Sequence, residues 1–180
     1  MEYNTLFLQE RIKTEFMKKV ILVALVLIGW AGNVRAQELS KNVLGLRLGD
    51  NAGFGGEISY QRGLTKANRL EFDLGWRNSN DVNAIKIAGL YQWVWNIDNG
   101  FNWYAGCGAG LGSWNYNLNN NSNHGTFLFL AGDIGVEYNF KEVPIQLSFD
   151  VRPELYINAA GYRDGNYGSD FALGIRYKFD

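Results

Sequence analysis

Apolar and polar residues alternate with a period of two along most of the chain. The clearest case is the C-terminal stretch, where large apolar side chains alternate with small or charged ones from Phe171 to Phe179. This is the pattern of a β-strand with one apolar face. Because an exposed strand edge invites aggregation, such a strand needs a partner on both sides. The first strand of the same chain is the simplest second partner, so the pattern predicts a closed barrel.

Eight segments show this alternation, and turn-rich or polar residues separate them. We predict strands at Asn42–Gly49, Gly53–Arg62, Arg69–Arg77, Asn83–Trp95, Phe101–Trp114, Thr126–Phe140, Ile145–Ile157 and Phe171–Asp180. The longest connections are then the polar stretches Asn115–Gly125 and Asn158–Ser169. The expected fold class is all-β, an eight-stranded antiparallel up-and-down barrel.

The volume of the apolar side chains decides which face lies inside. An eight-stranded barrel has an interior just wide enough for side chains to fill, and roughly three dozen large apolar side chains would not fit there. We therefore expect the apolar face to point outward into lipid, as in a transmembrane β-barrel. The alternative is a secreted lipocalin-like carrier with an apolar interior.

Aromatic residues and loop lengths indicate how such a barrel would lie in a membrane. Ten aromatic residues fall near the strand ends that short turns join: Tyr60, Tyr91, Trp93, Trp95, Phe101, Trp103, Tyr138, Phe140, Tyr177 and Phe179. They predict one interfacial girdle. Short turns at that end and longer loops at the other are typical of periplasmic turns and outer loops.

The first 36 residues are not expected to belong to the barrel. A basic start at Met17 precedes an apolar run that ends at Trp30, and small residues follow up to Ala36. This order is typical of a secretory signal peptide, and the apolar run is shorter than the about 20 residues of a membrane-spanning helix. We expect residues 1–16 to be a misassigned extension, 17–36 a signal peptide and 37–180 the barrel domain; an uncleaved anchor or a short buried helix is the alternative.

The composition argues against several classes of function. The 180 residues carry a formal net charge of −1, which provides no basic field for nucleic acid. The single cysteine, Cys107, cannot form an internal disulfide. No phosphate-binding loop, nucleotide motif or cluster of metal ligands is apparent, so no cofactor is expected.

The face opposite the apolar one is charged, and we expect it to line the barrel interior. Its charged members are Arg47, Glu57, Glu71, Asp73, Arg77, Lys86, Asp133, Glu137, Asp150, Arg152, Glu154, Asp170, Arg176 and Lys178. An unpaired charge in a poorly hydrated interior costs several kcal/mol, so the mixed signs predict a cross-barrel network of ion pairs. The alternative is a small ion-conducting pore.

The chain resembles the small eight-stranded outer-membrane barrels of Gram-negative bacteria, the OmpX-like and OmpA transmembrane-domain-like group. The resemblance covers Lys41 to Phe179 and rests on the strand count, the Gly-rich segment Ala105–Gly112 and the terminal aromatic pattern. It implies an outer-membrane location among lipid and lipopolysaccharide. It also implies that Tyr177 and Phe179 form the signal that the barrel-assembly machinery reads. Asp180 after the last aromatic residue departs from the usual ending.

Two kinds of activity remain as candidates at the outer loops. Adaptable binding of an extracellular protein or glycan is suggested by Tyr116, His124, Tyr162, Arg163, Asp164 and Tyr167 among Asn and Gly. A lipid A acyltransferase or deacylase would pair His124, the only histidine, with Ser122, Thr126 or Ser169 and with Asp164 or Asp170. We expect a monomeric structural or surface-interaction barrel that is not an enzyme.

Overall fold

The computed structural model describes residues 39–49, 55–78, 82–118, 121–157 and 165–179. Its strands are β1 (Asn42–Gly49), β2 (Gly56–Gly63), β3 (Asn68–Asn78), β4 (Val82–Asp98), β5 (Phe101–Leu118), β6 (Asn121–Asn139), β7 (Ile145–Tyr156) and β8 (Tyr167–Phe179). No helix in these ranges is long and apolar enough to cross a membrane. The predicted signal peptide and its cleavage site lie outside the described residues.

The eight strands form one closed antiparallel barrel in sequence order. Each strand pairs with the next along the chain, and β8 pairs with β1 from Asn42 opposite Phe179 to Gly49 opposite Ala172. The terminal strand therefore has a partner on both edges, as its alternation predicted. One end of the barrel, here called the turn end, carries the connections 64–67, 99–100 and 140–144; the other is the loop end.

The strand register separates an apolar outside from a charged inside. Leu44, Leu46 and Leu48 of β1 are exposed, whereas Arg47 between them is fully buried. The same division holds around the barrel, where leucine, isoleucine, tryptophan and phenylalanine side chains face outward. The prediction from side-chain volume is thereby confirmed. The lipocalin-like alternative is wrong, because the charged side chains occupy the interior.

The predicted polar loop Asn115–Gly125 is wrong. Backbone pairing of β5 with β6 continues without a break from Phe101 opposite Tyr138 to Leu118 opposite Asn121. Only residues 119–120 separate the two strands. Asparagine-rich sequence has a low β-propensity, and here the continuous ladder started within the barrel overrides that preference. The result is a long β5–β6 hairpin at the loop end.

Four aromatic side chains face inward near the loop end, which the alternation did not predict. Trp114, Phe127, Phe129 and Tyr156 are each 5% exposed or less. Their rings pack together, with centroids 5.5 Å apart for Phe129 and Tyr156 and 5.6 Å apart for Phe127 and Tyr156. We call these four residues the aromatic layer. Its size explains why β5 places consecutive glycines on its inner face.

Gly110 and Gly112 provide the space for the aromatic layer. Gly112 lies opposite Phe127 and Gly110 lies opposite Phe129 in the β5–β6 register. A Cβ atom at either glycine would overlap the facing phenylalanine ring. Large side chains of one strand therefore fit against the bare backbone of its neighbour, which allows close packing inside a narrow barrel.

Candidate functional site: the ionic lumen and the outer hairpin

Arg152 on β7 lies at the centre of the charged lumen. Its Nη2 atom is 2.8 Å from Glu71 Oε1 and its Nη1 atom is 2.8 Å from Asp73 Oδ2, both on β3. The guanidinium of Arg152 is fully buried. Since β3 and β7 are on opposite sides of an eight-stranded barrel, these contacts cross the lumen.

Arg47 on β1 forms a second centre nearer the loop end. Its guanidinium lies 2.5 Å from Asp150 Oδ1, 2.5 Å from Asp170 Oδ2 and 3.0 Å from Glu57 Oε2. Three strands, β2, β7 and β8, thus converge on one side chain. Glu57 also accepts from Lys86 at 2.8 Å, so the Arg47 centre continues into β4.

The charged network contacts the aromatic layer through β7. Lys86 Nζ is 3.1 Å from Glu154 Oε1, and the Tyr156 hydroxyl donates to Glu154 Oε2 at 2.6 Å. Lys86 also lies 5.8 Å from the centroid of the Phe129 ring. An ion moving through the lumen from the loop end would meet packed rings first and paired charges below them.

A further buried pair near the turn end was missed by the sequence interpretation. Arg69 on β3 is 3% exposed, and its Nη1 atom lies 2.6 Å from Glu137 Oε2. Arg69 shares the parity of Glu71 in the strand, so alternation alone could have placed it inside. The sequence interpretation began its third strand at Arg69 but did not assign Arg69 to the lumen.

The other predicted lumen residues have different positions. Arg176 is buried and donates to Ser148 Oγ at 2.6 Å and to Ser59 Oγ at 3.0 Å. Lys178 is only partly buried and donates to the backbone oxygen of Phe140 at 2.9 Å. Arg77 lies opposite Ala84 in the backbone register, and its side chain is outside the described part of the chain.

Buried acids outnumber buried bases in the lumen. The described residues bury eight carboxylates, namely Glu57, Glu71, Asp73, Asp133, Glu137, Asp150, Glu154 and Asp170, against Arg47, Arg69, Lys86, Arg152 and Arg176. Several acids share one base, as Glu71 and Asp73 share Arg152. Within the described ranges, no group of three His, Cys, Asp or Glu has a geometry suited to a metal ion.

The candidate binding residues at the loop end are only partly described. His124 is exposed on β6 and lies opposite Asn115 of β5 in the register. Tyr167 is exposed at the start of β8 and its hydroxyl lies 2.7 Å from Ser169 Oγ. Tyr162, Arg163 and Asp164 lie outside the described residues, as does the side chain of Tyr116.

Among the described residues, Asp170 is not positioned to serve the suggested lipid A site around His124. Asp170 lies in the lumen with its Oδ2 atom 2.5 Å from Arg47, so its carboxylate is not directed at His124. Thr126 is exposed two residues further along β6. The side chain of Ser122 and the whole of Asp164 are outside the described part.

Comparison with known proteins agrees with this geometry. A sequence model of the family described as "Outer membrane protein beta-barrel domain" matches residues 43–179, which is most of the chain. The chain belongs to this family. The protein is therefore a transmembrane barrel of the Gram-negative outer membrane. No curated protein sequence matches this outer-membrane barrel significantly.

Solved structures share the fold of this outer-membrane barrel at low sequence identity. The N-terminal β-barrel domain of Pseudomonas aeruginosa OprF has a TM-score of 0.60 at 10% identity, covering 77% of this chain and 98% of that chain. Neisserial surface protein A has a TM-score of 0.55 at 14% identity, covering 77% and 94%. Ail, the attachment invasion locus protein of Yersinia pestis, has a TM-score of 0.52 at 15% identity, covering 78% and 97%. At these identities the likeness establishes the fold alone.

Proposed function

We propose that this protein is a monomeric, non-catalytic outer-membrane barrel that binds an extracellular protein or glycan through the β5–β6 hairpin. The observation that carries the proposal is the length of that hairpin. β5 has 18 residues and β6 has 19, whereas a transmembrane strand needs about 9–11. The additional residues extend the hairpin at the loop end, where β4 stays paired with β5 as far as Val82 opposite Tyr116.

One edge of the hairpin supports the choice of a polypeptide partner. In the described residues, the last hydrogen bond along this edge joins Ile157 N, directly after β7, to Leu128 O at 2.8 Å. Beyond it, Asn123–Phe127 has β5 on one side and no described strand on the other. Unpaired backbone N–H and C=O groups can bind an extended segment of another protein by strand addition. The exposed Asn115, Asn123 and Thr126 keep this edge polar.

A glycan ligand has support of a different kind. Ail, which shares the fold, has a solved structure in complex with the heparin analogue sucrose octasulfate. Asparagine side chains such as Asn115 and Asn123 offer both a donor and acceptors for sugar hydroxyl groups. Both ligand classes would use the same outer hairpin, so one set of variants tests them together.

The proposed orientation of the barrel in the membrane follows from the short connections at its turn end. The turn end has connections as short as Asn99–Gly100, where both residues have a positive φ, 40° and 96°. Such tight turns are typical of the periplasmic side of outer-membrane barrels. We assign the turn end to the periplasm, where Tyr177 and Phe179 would be accessible to the barrel-assembly machinery, and the loop end to the lipopolysaccharide-containing surface.

The test is adhesion of cells that carry the full chain. In one variant, residues 114–125 are replaced by Asn-Gly, which joins the paired Ser113 and Thr126 by a two-residue turn and removes most of the exposed edge. Cells with the unaltered protein should adhere several-fold better than vector controls to immobilised fibronectin or heparin, and the shortened variant should not. His124→Ala is the control, because it keeps the backbone edge. Equal adhesion of the shortened variant at equal surface levels would refute the proposal.

The absence of catalysis is tested separately by mass spectrometry of lipid A. Cells with and without the gene should contain the same lipid A species. A missing or added acyl chain that depends on the gene and disappears in His124→Ala would overturn this part of the proposal.

A further inference from the structure

A polar cavity lies at the turn end of the lumen. Its volume is about 40 Å³, which is room for about two or three water molecules. Ser40, just before β1, and Lys178, near the end of β8, line it and are partly exposed. The entrance of this space, here called the turn-end cavity, is therefore on the side of the short turns.

Buried side chains form the inner part of the turn-end cavity. Gln61, Arg69, Glu137 and Gln146 line it and are each 3% exposed or less. Three of their atoms have no hydrogen-bond partner within the described part of the chain, namely Gln61 Oε1, Arg69 Nη2 and Gln146 Oε1. Leaving such buried atoms unpaired costs free energy, and in native proteins ordered water commonly pairs with them.

The orientations of the two glutamine amides are fixed by their other hydrogen bonds. Gln61 Nε2 donates to Glu71 Oε2 at 2.5 Å. Gln146 Nε2 donates to Asn139 Oδ1 at 3.4 Å, and Asn139 Nδ2 donates to Glu137 Oε1 at 3.1 Å. Turning either glutamine amide over would place two acceptor oxygens against each other. The unpartnered atom of each glutamine is therefore its oxygen, an acceptor.

The atoms that need partners in the turn-end cavity include both donors and acceptors. Arg69 Nη2 offers two N–H groups, whereas Gln61 Oε1 and Gln146 Oε1 accept. Lys178 Nζ donates to Phe140 O at 2.9 Å, and an ammonium group has three N–H donors. A halide ion would pair with the donors alone and a metal cation with the acceptors alone. A water molecule pairs with both.

Packed side chains lie directly behind the turn-end cavity. Arg69 Nε donates to Gln92 Oε1 at 2.6 Å, and Arg69 Nη1 donates to Glu137 Oε2 at 2.6 Å. The guanidinium carbon of Arg69 is 4.7 Å from the centroid of the Tyr104 ring. Gln92 and Tyr104 are both fully buried, so the described residues close the inner side of the cavity.

We propose that the turn-end cavity is a binding site for two or three ordered water molecules that bridge Gln61, Arg69 and Gln146 and exchange with solvent through the turn end. The cavity is then a hydrated vestibule with a closed inner side, whereas the aromatic layer keeps the lumen apolar near the loop end. A bridging water is nearly as favourable as a direct hydrogen bond. The proposal is independent of the outer hairpin and holds for either orientation of the barrel.

The first test is a crystal structure of the folded barrel grown in sodium bromide, at a resolution that shows buried water. Electron density for two or three waters should lie about 2.7–3.2 Å from Gln61 Oε1, Arg69 Nη2 and Gln146 Oε1. No anomalous bromide signal should appear in the cavity. In Gln146→Leu, the water bound to the Gln146 oxygen should be lost while the contact between Arg69 and Glu137 is kept.

The second test compares two buried glutamines. Gln146→Leu should change the equilibrium constant of unfolding by less than about threefold, because the Gln146 oxygen exchanges one water partner for another on unfolding. Gln92→Leu is the matched comparison. It removes the acceptor of Arg69 Nε and should raise that constant by about tenfold or more. Urea unfolding in detergent micelles measures both, and heat-dependent mobility on gels shows that each variant is folded.

Three results would overturn the proposal. A bromide signal in the cavity would identify an anion site, and a cavity without density, in a map that shows other buried waters, would be dry. A Gln146→Leu variant that is about fivefold or more stabler would also indicate a dry cavity, because leucine would remove an unsatisfied buried oxygen. The shortened hairpin variant should lose adhesion whether or not the cavity binds water, so the two proposals fail separately.

Discussion

Single arginines hold the lumen together, and Arg152 is the clearest case. It lies within 2.8 Å of both Glu71 and Asp73 and 3.6 Å from Glu57. A buried ion pair adds little net stability over an apolar pair, but removing one partner leaves uncompensated charge at a high cost. The stability of the barrel should therefore depend strongly on the presence of each base.

Arg152→Met tests this dependence. We expect the free energy of unfolding to fall by about 3–5 kcal/mol, because Glu71 and Asp73 lose their common base. Urea unfolding in detergent micelles, followed by tryptophan fluorescence, measures the change. Lys141→Gln removes an exposed base and should cost no more than about 1 kcal/mol. A loss below about 1 kcal/mol for Arg152→Met would contradict the network's structural role.

The alternation of inward-facing and outward-facing positions explains which lumen residues could be predicted from the sequence. Period-two alternation placed Arg47, Glu57 and Arg152 inside, because charged, small or polar residues predominate on that face of their strands. It did not assign Phe127 and Phe129, which share the parity of Ala131 and Asp133 but have the apolar character of their lipid-facing neighbours Leu128 and Leu130. Only the facing glycines of β5, known from the register, indicate where their rings fit.

At the scale of elements, β5 and β6 form a complementary pair. The bare backbone of Gly110 and Gly112 on β5 receives the Phe129 and Phe127 rings of β6. This fit explains why a Gly-rich strand, weak by propensity, can take part in the longest ladder of the barrel.

Gly112→Ala should disturb this fit. The new methyl group would overlap the Phe127 ring, and such overpacking typically costs about 1–3 kcal/mol. Phe127→Ala itself removes packing, but in its presence the additional cost of Gly112→Ala should be smaller, because the overlap with the ring is gone and only the contact with the Ile85 backbone oxygen remains. Gly89→Ala is the matched control, since a Cβ there would lie 3.6 Å from the Phe72 ring, an ordinary contact. Urea unfolding of the unaltered protein, the three single variants and the double variant tests the expectation, and equal stability of Gly112→Ala and Gly89→Ala would disprove it.

The extension of the β5–β6 hairpin beyond Trp114 could not be predicted from the sequence of the segment alone. Its sequence from Asn115 to Gly125 is rich in asparagine, which favours turns, and only its first five residues alternate. Pairing with a neighbour already in register is a non-local effect, so a single segment does not reveal it. The strand count, order and closure were predictable, because they depend on alternation that is local.

For the whole molecule, the packed lumen predicts that the barrel does not conduct ions. In the described residues, packed rings lie near the loop end and paired charges lie below them, an arrangement that is expected to interrupt a water path. Planar bilayers containing the protein should show no reproducible conductance, and Glu71→Gln should not create one. Steps of constant amplitude that change in Glu71→Gln or Arg77→Gln would favour the pore alternative.

The orientation of the barrel in the membrane can be measured by labelling inserted epitopes. A short epitope inserted between residues 119 and 120 should be labelled by antibody on intact cells. The same epitope inserted between Asn99 and Gly100 should be labelled only after the outer membrane is permeabilised. The opposite labelling pattern would contradict the periplasmic assignment of the turn end.

The charge contacts join residues that lie far apart in the sequence. Arg47 binds Asp150 and Asp170, which are 103 and 123 residues later, and Arg152 binds Glu71, which is 81 residues earlier. A half-inserted barrel would hold these groups without counter-ions in a nonpolar environment. Insertion should therefore proceed as a nearly all-or-none event, slowed by distant contacts, and an intermediate that lacks β8 should stay water-exposed until the last strand arrives.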